Sequence, residues 1–481
     1  MTYRELDERT TRLAHGLSDL GVRVGDHVGL LMHDRAEHVE AMLACYKLRA
    51  VPINVNWRYT GDELTYLFED AGLGALVCEP ELRPEHAPDV IIETGDRYER
   101  LVRDSSPARD FGPRSRDDRY ILYTGGTTGM PKGVVWRHGD ITTAVIRDPA
   151  ARLAPHLPPG AEAPDQIVQL SLGPLMHASG QWSALGALCH GGKVILFAEQ
   201  HVDLGRVLQL VERERIVSLN IVGDVHAVPL LKELRAERYD TSSLCLLGSG
   251  GAMLSSQSKQ QLLERIPSLL AISEAIGSSE APVEAASVAT RDGAPPSLTF
   301  AARPDTAVFN DDLCPVVPGS GEVGRVAVRG PVPLGYHNDP EKSARTFVTV
   351  NGVRWSLPGD MATVEADGTI RLLGRGALCI NSGGEKVYPE EVEAVLKTHP
   401  DVADALVIGR PHPRLREQVV AVVQPTDGRR LPSLEALQAH CRGHLAGYKV
   451  PRAVHAVGRV ERSPSGKPDY RWARAVVIEK G

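Results

Sequence analysis

The sequence predicts an α/β protein: a large N-terminal domain of wound α/β layers plus a small β-barrel or sheet, then a small mobile α+β C-terminal domain. Helix-like and strand-like segments alternate through the first half of the chain, which is typical of wound layers. Around residues 300–372 this pattern gives way to short strands with frequent Gly and Pro. The 481 residues, 42% of them hydrophobic, exceed what one core usually holds. We therefore expect domains at 1–375 and 376–481.

Each element is predicted from hydrophobic spacing. The predicted N-terminal helices are 3–21, 35–49 and 61–72, and the predicted strands are 26–32, 51–55, 120–123, 167–170, 193–197 and 217–222. In the C-terminal domain we expect helices at 389–396 and 433–446 and strands at 403–408 and 419–423. Residues 84–118 are rich in Pro, Asp and Arg and predict a surface connection, whereas the proline-rich 150–165 predicts a mobile loop.

Composition excludes several classes of function. The net charge of −7 and the lack of a basic stripe argue against a nucleic-acid partner. Seven scattered cysteines form no Cys-x-x-Cys pair and predict reduced thiols rather than a zinc site or disulfides. No signal-peptide pattern and no apolar run of about 20 residues is present. We expect a soluble cytoplasmic protein without an integral membrane segment.

A glycine-rich segment directly after the strand 120–123 is the most informative feature. It reads Thr-Gly-Gly-Thr-Thr-Gly-Met-Pro-Lys-Gly, from Thr124 to Gly133. Glycines allow a tight turn whose N–H groups approach an anion, while the hydroxyls and Lys132 add donors and a charge. Its spacing differs from the common P-loop, whose lysine directly follows a glycine and precedes Ser or Thr. The segment predicts a polyphosphate site, and here ATP.

Further motifs follow in order. Gly248-Ser-Gly-Gly-Ala252 comes after an apolar run, and its small residues would let a flat ring lie against the backbone. In Ile276-Gly-Ser-Ser-Glu280 a hydroxyl stands beside a carboxylate, a pair that suits Mg²⁺ on a polyphosphate. Asp360 lies fifteen residues before Arg375, and a carboxylate is the usual partner of a ribose diol.

Two further segments each contain one candidate catalytic residue. Pro174-Leu-Met-His-Ala-Ser-Gly180 contains a histidine in an apolar stretch, and no acidic residue lies between Ser171 and Gly192. Ser463-Pro-Ser-Gly-Lys-Pro-Asp469 places Lys467 in a loop whose Pro and Gly residues let a long cation enter a cleft.

Together these motifs resemble, in order, those of the adenylate-forming superfamily, which comprises acyl-CoA synthetases, amino-acid-activating domains and firefly-type luciferases. The matches extend from about residue 124 to 467. The sequences of segments 133–138, 221–224 and 381–387 are most similar to those of actinobacterial-type fatty-acyl-CoA ligases, some of which accept steroid side-chain acids.

The resemblance implies roles for these positions. Catalytic residues would be Lys467, Lys132, Glu280 and His177, and the metal ligands would be Ser279 and Glu280. ATP and AMP would be bound by Thr124, Gly125, Gly126, Thr127, Thr128, Gly129, Lys132, Gly250, Gly251, Ala252, Ile276, Gly277, Ser278, Ser279, Asp360, Arg375, Lys386 and Lys467. The hinge and the CoA-facing segment would include Ala377, Gly383 and Gly384.

The implied reaction is ATP-dependent activation of a carboxylic acid to an acyl-adenylate, then transfer to CoA. Amino-acid-activating relatives carry an Asp near the histidine segment, so its absence here favours an uncharged, fatty or other hydrophobic acid. Mg²⁺ would accompany ATP, and CoA would be the second co-substrate. A homodimer is compatible with the resemblance.

The chain departs from the family pattern in several places. Ile276 replaces the usual aromatic residue, Ala377 stands at a hinge position that usually holds Asp or Lys, and Asn381 and Gly383 stand where many relatives have lysines. Relatives usually carry some tens of residues before the segment that starts here at Thr2, so the first domain is expected to be short at its N-terminus.

Three alternatives stay open at this point. An enzyme that loads a carrier protein would share every motif and differ only in its acceptor. An impaired, non-catalytic paralogue is a second alternative, against which stands the joint presence of Lys132, Glu280, Asp360, Arg375 and Lys467. A luciferase-like oxygenase is the third, and no residue pattern favours it.

Overall fold

The protein is described by a computed structural model covering residues 1–126, 129–146, 148–199, 201–236, 238–382, 385–463 and 466–480. Within these residues the strands form four sheets, three before Arg375 and one after it. The architecture confirms the predicted α/β class. No helix in the described ranges is long and apolar enough to span a bilayer.

The first sheet begins the chain. Its elements are α1 (Tyr3–Asp19), β1 (His27–Leu31), α2 (Ala36–Leu48), β2 (Val51–Asn54), α3 (Gly61–Ala71), β3 (Leu73–Cys78), β4 (Val90–Glu93), α4 (Asp96–Asp104), β5 (Arg119–Gly126), β6 (Gly129–Arg137) and α5 (His138–Val145). Strands β5, β2, β1, β3 and β4 lie side by side and parallel, and β6 returns antiparallel to β5. Helices cover this sheet, so β2 is buried along its whole length, as is typical of parallel strands.

The prediction of a surface connection at 84–118 is wrong in its first half, because β4 and α4 lie within it. The apolar run Val90-Ile91-Ile92 extends the sheet beside β3. Tyr98 of α4 is fully buried, and its hydroxyl donates to Glu40 at 2.7 Å. The charged residues of α4 lie on its solvent side. Because the whole segment is highly charged, its composition did not indicate that α4 is an amphipathic helix.

The second sheet follows. Its elements are α6 (Pro149–Leu153), β7 (Val168–Ser171), α7 (Ala178–Cys189), β8 (Lys193–Ile195), α8 (Leu204–Glu214), β9 (Ser218–Ile221), α9 (Gly223–Ala236), β10 (Leu246–Gly250), α10 (Ser256–Arg265), β11 (Ala271–Ile276) and β12 (Ala285–Ala289). The order is β12-β11-β10-β9-β7-β8, and only the β11–β12 pairing is antiparallel among these described strands. The loop predicted at 150–165 begins instead inside α6, which Asp148 caps and whose Leu153 is buried.

A third, antiparallel sheet completes the N-terminal part. Its elements are β13 (Thr299–Phe300), β14 (Thr306–Phe309), β15 (Gly324–Arg329), β16 (Gly335–Tyr336), α11 (Pro340–Thr346), β17 (Phe347–Val350), β18 (Val353–Ser356), β19 (Asp360–Val364) and β20 (Ile370–Arg375). Strand β16, although it lies in this part of the chain, is the edge strand of the first sheet, where it pairs with β6 and so joins the third layer to the first sheet. These short strands agree with the short strands predicted for residues 300–372.

The C-terminal part has its own sheet and core. Its elements are β21 (Ile380–Ser382), β22 (Glu385–Val387), α12 (Pro389–Leu396), β23 (Val402–His412), β24 (Arg416–Pro425), α13 (Leu434–Arg442), β25 (Ala453–Ala456) and α14 (Tyr470–Lys480). Strands β23 and β24 form a long hairpin, and α12 and α13 pack on it through a separate apolar cluster. The change of sheet between Arg375 and Ile380 supports the domain boundary, which stays a prediction.

Candidate functional site

The glycine-rich segment forms a β-hairpin. Strand β5 continues past the predicted 120–123 and through Gly126, and β6 starts at Gly129. Thr124 and Lys132 are paired across the two strands, so the hydroxyl and the ammonium come from facing positions. Thr127 and Thr128 were also predicted to bind ATP, and both lie outside the described residues.

Lys132 has a carboxylate partner that the sequence analysis missed. Its Nζ lies 2.9 Å from Oδ2 of Asp339, and both side chains are about one-third exposed. The other Asp339 oxygen caps α11 by accepting from the backbone N–H of Lys342 at 2.9 Å. The Asn-Asp-Pro sequence before α11 is a helix-start signal, but nothing in it pointed to the phosphate segment 207 residues earlier.

Glu280 is held at the junction of the first and third sheets. The hydroxyl of Tyr336 donates to its carboxylate at 2.6 Å, and Oγ of Ser356 donates to its backbone carbonyl at 2.9 Å. Trp136 Nε1 donates to the carbonyl of Ser279 at 3.0 Å. Burial and the charge of Glu280 together raise the pKa of Tyr336. Tyr336 therefore stays a neutral donor to the carboxylate.

The two segments predicted to contact the adenosine lie at one sheet edge. Strands β10 and β11 are parallel neighbours in which Gly250 pairs with Ala275. The residues that follow them therefore emerge at the same carboxyl end, where ligands of open α/β sheets usually bind. The structure thus brings together the predicted residues Gly250, Gly251, Ala252, Ile276, Gly277, Ser278 and Ser279.

Asp360 and Arg375 are directly opposite each other on β19 and β20. Nε of Arg375 lies 2.8 Å from Oδ1 of Asp360, whose side chain is almost wholly buried. Asp360 is the main cause of a raised pKa for Arg375, and the charges of Glu284 and Glu280 add to it. Glu284 was not predicted as a site residue, and no motif marked it.

Lys467 reaches this group from the C-terminal part of the chain. The surrounding protein desolvates its ammonium, which is the main cause of a lowered pKa, and Arg375 lowers the pKa further. The charges of Glu280 and Asp360 act in the opposite direction. The residue as a whole is nevertheless exposed. The lysine is therefore enclosed by both parts of the protein while remaining accessible to a ligand.

The loop that carries Lys467 packs on the second sheet. Gly466 has a φ of +73°, and a β-carbon built on it would lie 2.5 Å from Cγ1 of Val222, at the end of β9. The base of the loop is held by Arg462, which makes two 2.8 Å bonds to Asp404. Only glycine satisfies both the left-handed backbone and this close approach.

The histidine segment is tied to the phosphate hairpin by one buried amide. Nδ2 of Asn54 donates to the carbonyls of Tyr123 and Met176, both at 2.7 Å, and its Oδ1 accepts from Tyr123 N at 2.7 Å. His177 follows Met176 directly and precedes α7. Burial, with a smaller contribution from Lys467, lowers the pKa of His177 to about 3, so the imidazole is neutral at ordinary pH.

Asp34, an acidic residue outside the histidine segment, contacts that segment. Oδ1 of Asp34, which follows β1, accepts from the backbone N–H of Leu175 at 2.7 Å. Burial raises the pKa of Asp34 to about 7, while the Leu175 bond lowers it. Asp34 and Pro174 both line a cavity of about 770 Å³ between the two parts of the chain. Asp34 was not predicted as a site residue, because its partner lies 141 residues away in the chain.

Two predicted positions follow Arg375 in the chain. Ala377 is exposed in a short 3-10 turn, Gly376–Leu378. Lys386 is exposed on β22, opposite Asn381. Gly383 and Gly384 lie outside the described residues.

Comparison with known families identifies the relatives of this arrangement. Residues 1–337 match the AMP-binding enzyme family, and residues 391–467 match the AMP-binding enzyme C-terminal domain. The chain belongs to the AMP-binding enzyme family. The resemblance predicted from the motifs is therefore confirmed.

Individual proteins agree with this assignment. A medium/long-chain-fatty-acid–CoA/3-oxocholest-4-en-26-oate–CoA ligase of Mycolicibacterium smegmatis is 45% identical, over 100% of this chain and 92% of that protein. A 3-oxocholest-4-en-26-oate–CoA ligase of Rhodococcus rhodochrous is 42% identical, over 98% of this chain and 91% of that protein. The crystal structure of ATP-bound MatB from Rhodopseudomonas palustris superimposes with a TM-score of 0.84 at 25% identity, covering 100% and 94% of the two chains.

Proposed function

We propose that this member of the AMP-binding enzyme family is an AMP-forming acid–thiol ligase that activates a hydrophobic carboxylic acid and transfers it to CoA. The observation that carries the proposal is the packing of the Lys467 loop, through Gly466, on Val222 of the N-terminal part, which brings the ammonium under the charges of Glu280, Asp360 and Arg375. The relatives in Mycolicibacterium smegmatis and Rhodococcus rhodochrous, both named CoA ligases, support the reaction class.

Activation begins with attack of a carboxylate oxygen on the α-phosphorus of ATP. The new O–P bond forms as the bond to the β-phosphate breaks, giving acyl-adenylate and diphosphate. The barrier is largely charge repulsion, which positioned cations and backbone donors reduce. In our proposal Lys467 lies between the substrate carboxylate and the α-phosphate, and Lys132 with the hairpin holds the β- and γ-phosphates.

Asp360 would bind the ribose diol, and the cross-strand ion pair with Arg375 at 2.8 Å supports this role. Its carboxylate accepts from Arg375 on one side and has acceptor sites left for two hydroxyls. The adenine would lie over the small residues at the ends of β10 and β11, where Gly250 and Gly251 leave room for a flat ring.

The donor set fits Mg²⁺ on a nucleotide. The described residues contain no group of three or more His, Cys, Asp or Glu that would form a protein-only metal cage. Mg²⁺ with ATP usually takes one or two protein oxygens and completes its shell with phosphates and water. Glu280 and Ser279 would hold the ion, which would neutralise phosphate charge. Tyr336 and Ser356 orient Glu280 for this role.

The acid would enter beside the histidine segment. The 770 Å³ cavity has a mixed lining, in which Leu172, Phe197 and Met253 are apolar and Arg58, Glu199, Asp224, Lys397, Arg459 and Glu461 are charged. His177 is neutral, and burial raises the pKa of Asp34 to about 7, so neither is a strong partner for a substrate ammonium. The choice of a medium or long fatty acid, or a steroid side-chain acid, follows the names of the two ligases.

In the second half-reaction the CoA thiolate attacks the adenylate carbonyl, and AMP leaves as the C–O bond breaks. We propose that the C-terminal part rotates about the segment near Ala377, withdraws Lys467 and presents the face around Gly383 and Gly384. The role of Lys386 near the nucleotide or CoA stays a prediction. We also propose a cytoplasmic location, which the seven free cysteines support. We further propose a homodimer, which light scattering would test.

ATP–diphosphate exchange with short, medium, long and steroid-derived acids tests the proposal. We expect exchange that needs a particular acid and falls on the order of 10²–10³-fold in Lys467→Ala. The control is Lys193→Ala, because Lys193 is an exposed lysine whose partner is Glu214. AMP release with CoA, compared with a pantetheinylated carrier protein, assigns the acceptor. No exchange with any acid would contradict the proposal.

A further inference from the structure

Glu284 is a buried acid that the proposed reaction does not use. It lies just before β12, and its backbone joins two layers: its N–H donates to the carbonyl of Ile276 at 2.8 Å, and its carbonyl accepts from Oγ1 of Thr306 at 2.6 Å. Its side chain has no exposed surface. Within the described part of the chain, neither carboxylate oxygen has a hydrogen-bond donor.

The neighbour of this carboxyl is Asp360. Ala285 and Ala362, which are close to the two acids in the chain, pack in one apolar cluster, and the charges of Asp360, Arg375 and Glu280 act on Glu284. Two ionised carboxylates cannot bond to each other, because each only accepts. A single proton between them converts the contact into a charge-assisted O–H···O bond.

The surroundings decide which acid holds that proton. Asp360 has a cationic partner, Arg375, at 2.8 Å, whereas Glu284 has no donor of its own among the described residues. Burial is the main cause of a pKa for Glu284 well above its ordinary value, and the charge of Asp360 raises that pKa further. Glu284 is therefore the acid that holds the proton, and Asp360 is the acceptor.

We propose that Glu284 is a positioning residue whose protonated carboxyl donates a hydrogen bond to Asp360 and orients that carboxylate toward the ribose diol of ATP. The inference rests on the ribose role given to Asp360 in the proposed function. Arg375 and Glu284 then hold the carboxylate from two directions, and its remaining lone pairs face the nucleotide.

The test compares nucleotides that differ only in the diol. Wild type, Glu284→Gln, Glu284→Met and Asp360→Ala are assayed for kcat/KM with ATP and with 2′,3′-dideoxyATP. Gln keeps a donor without a charge, whereas Met fills the volume and cannot donate. We expect wild type to prefer ATP on the order of 100-fold, Glu284→Met to lose about tenfold of this preference, and Glu284→Gln to keep it within about threefold.

The outcomes distinguish the ribose-binding role of Asp360 from the positioning role of Glu284. A wild-type preference that Asp360→Ala does not change would remove the ribose role and the inference with it. A preference that falls in Asp360→Ala but is unchanged in Glu284→Met would overturn the inference alone. If Glu284 only filled space, Glu284→Met and Glu284→Gln would both keep the preference for ATP, because the three side chains have similar volumes.

An infrared measurement covers the case in which Glu284→Met does not fold. The difference spectrum of wild type against Glu284→Gln at neutral pH should contain the C=O stretch of a protonated carboxyl. The band should shift when AMP binds, because the acceptor Asp360 then also receives the ribose hydroxyls. Its absence from the wild-type spectrum would overturn the inference.

Discussion

The ammonium of Lys132 lies 2.9 Å from the carboxylate of Asp339, across 207 residues of chain. This pair places an acid beside the cation proposed to hold the β- and γ-phosphates. The pair is partly exposed, so its interaction is worth about 1 kcal/mol or less. The polyphosphate of ATP carries more charge than Asp339 and can displace it.

Asp339→Asn should lower the KM for ATP by about two- to fivefold, because the substitution removes a competing negative charge of modest strength. Asn also caps helices well, so α11 should keep its start. Steady-state kinetics with varied ATP measures the effect, with Lys132→Ala, which should raise KM, as the opposing variant. A raised KM in Asp339→Asn would show instead that Asp339 orients the lysine.

Gly466→Ala should reduce acyl-adenylate formation on the order of 10–100-fold, because the new β-carbon meets Val222 and displaces Lys467. Thioester formation from supplied acyl-adenylate should change little, since that step does not use the lysine in our proposal. Gly428→Ala is the matched control: its φ is +75° in the same part of the chain, with open space around the new carbon. Equal losses in the two variants would attribute the effect to backbone strain alone.

Asn54→Asp should lower the free energy of unfolding by about 3 kcal/mol, because a carboxylate would face the carbonyls of Tyr123 and Met176 without a proton to donate. Asn338→Asp is the control, since Asn338 is exposed and donates to one carbonyl, that of Asp70. Thermal unfolding measures both. A loss no larger in Asn54→Asp than in the control would contradict a linking role for this amide.

Glu390 should make the contact between the two parts of the protein sensitive to pH. It accepts from Arg375 N at 3.3 Å and lies against Gly374, and its other oxygen is buried without a donor among the described residues. Burial, followed by the charge of Glu393, raises its pKa from 4.5 to about 8. Ionisation thus costs more in the folded than in the unfolded protein.

The contribution of Glu390 to the free energy of unfolding is therefore fully present below its ordinary pKa of about 4.5, and it is lost as the pH rises toward about 8. Thermal midpoints of wild type should fall relative to Glu390→Gln between about pH 5 and pH 8.5. Glu385→Gln, at an exposed neighbour, should follow wild type. Parallel curves for wild type and Glu390→Gln would show that Glu390 titrates normally.

Much of the architecture was predictable because local chemistry dictates it. The run at 389–396 was expected as a helix and is one, since a proline and acidic residues start it. The glycine-rich segment was recognised from residue types, although its hairpin form was not. The strand at Val90–Glu93 was missed because the surrounding charge outweighed a short apolar run.

By itself, the sequence determined the fold class, the family and the motifs from Thr124 to Lys467, because hydrophobic periodicity and the spacing of Gly, Lys and acidic residues are local properties of a chain. Only the tertiary structure decided which residues support those motifs. Asp339, Tyr336 and Asn54 lie 56 to 207 residues from their hydrogen-bond partners, and no local pattern marks them or Glu284. Their roles come from packing sheets together, which places donors and acceptors from distant segments within 3 Å of each other.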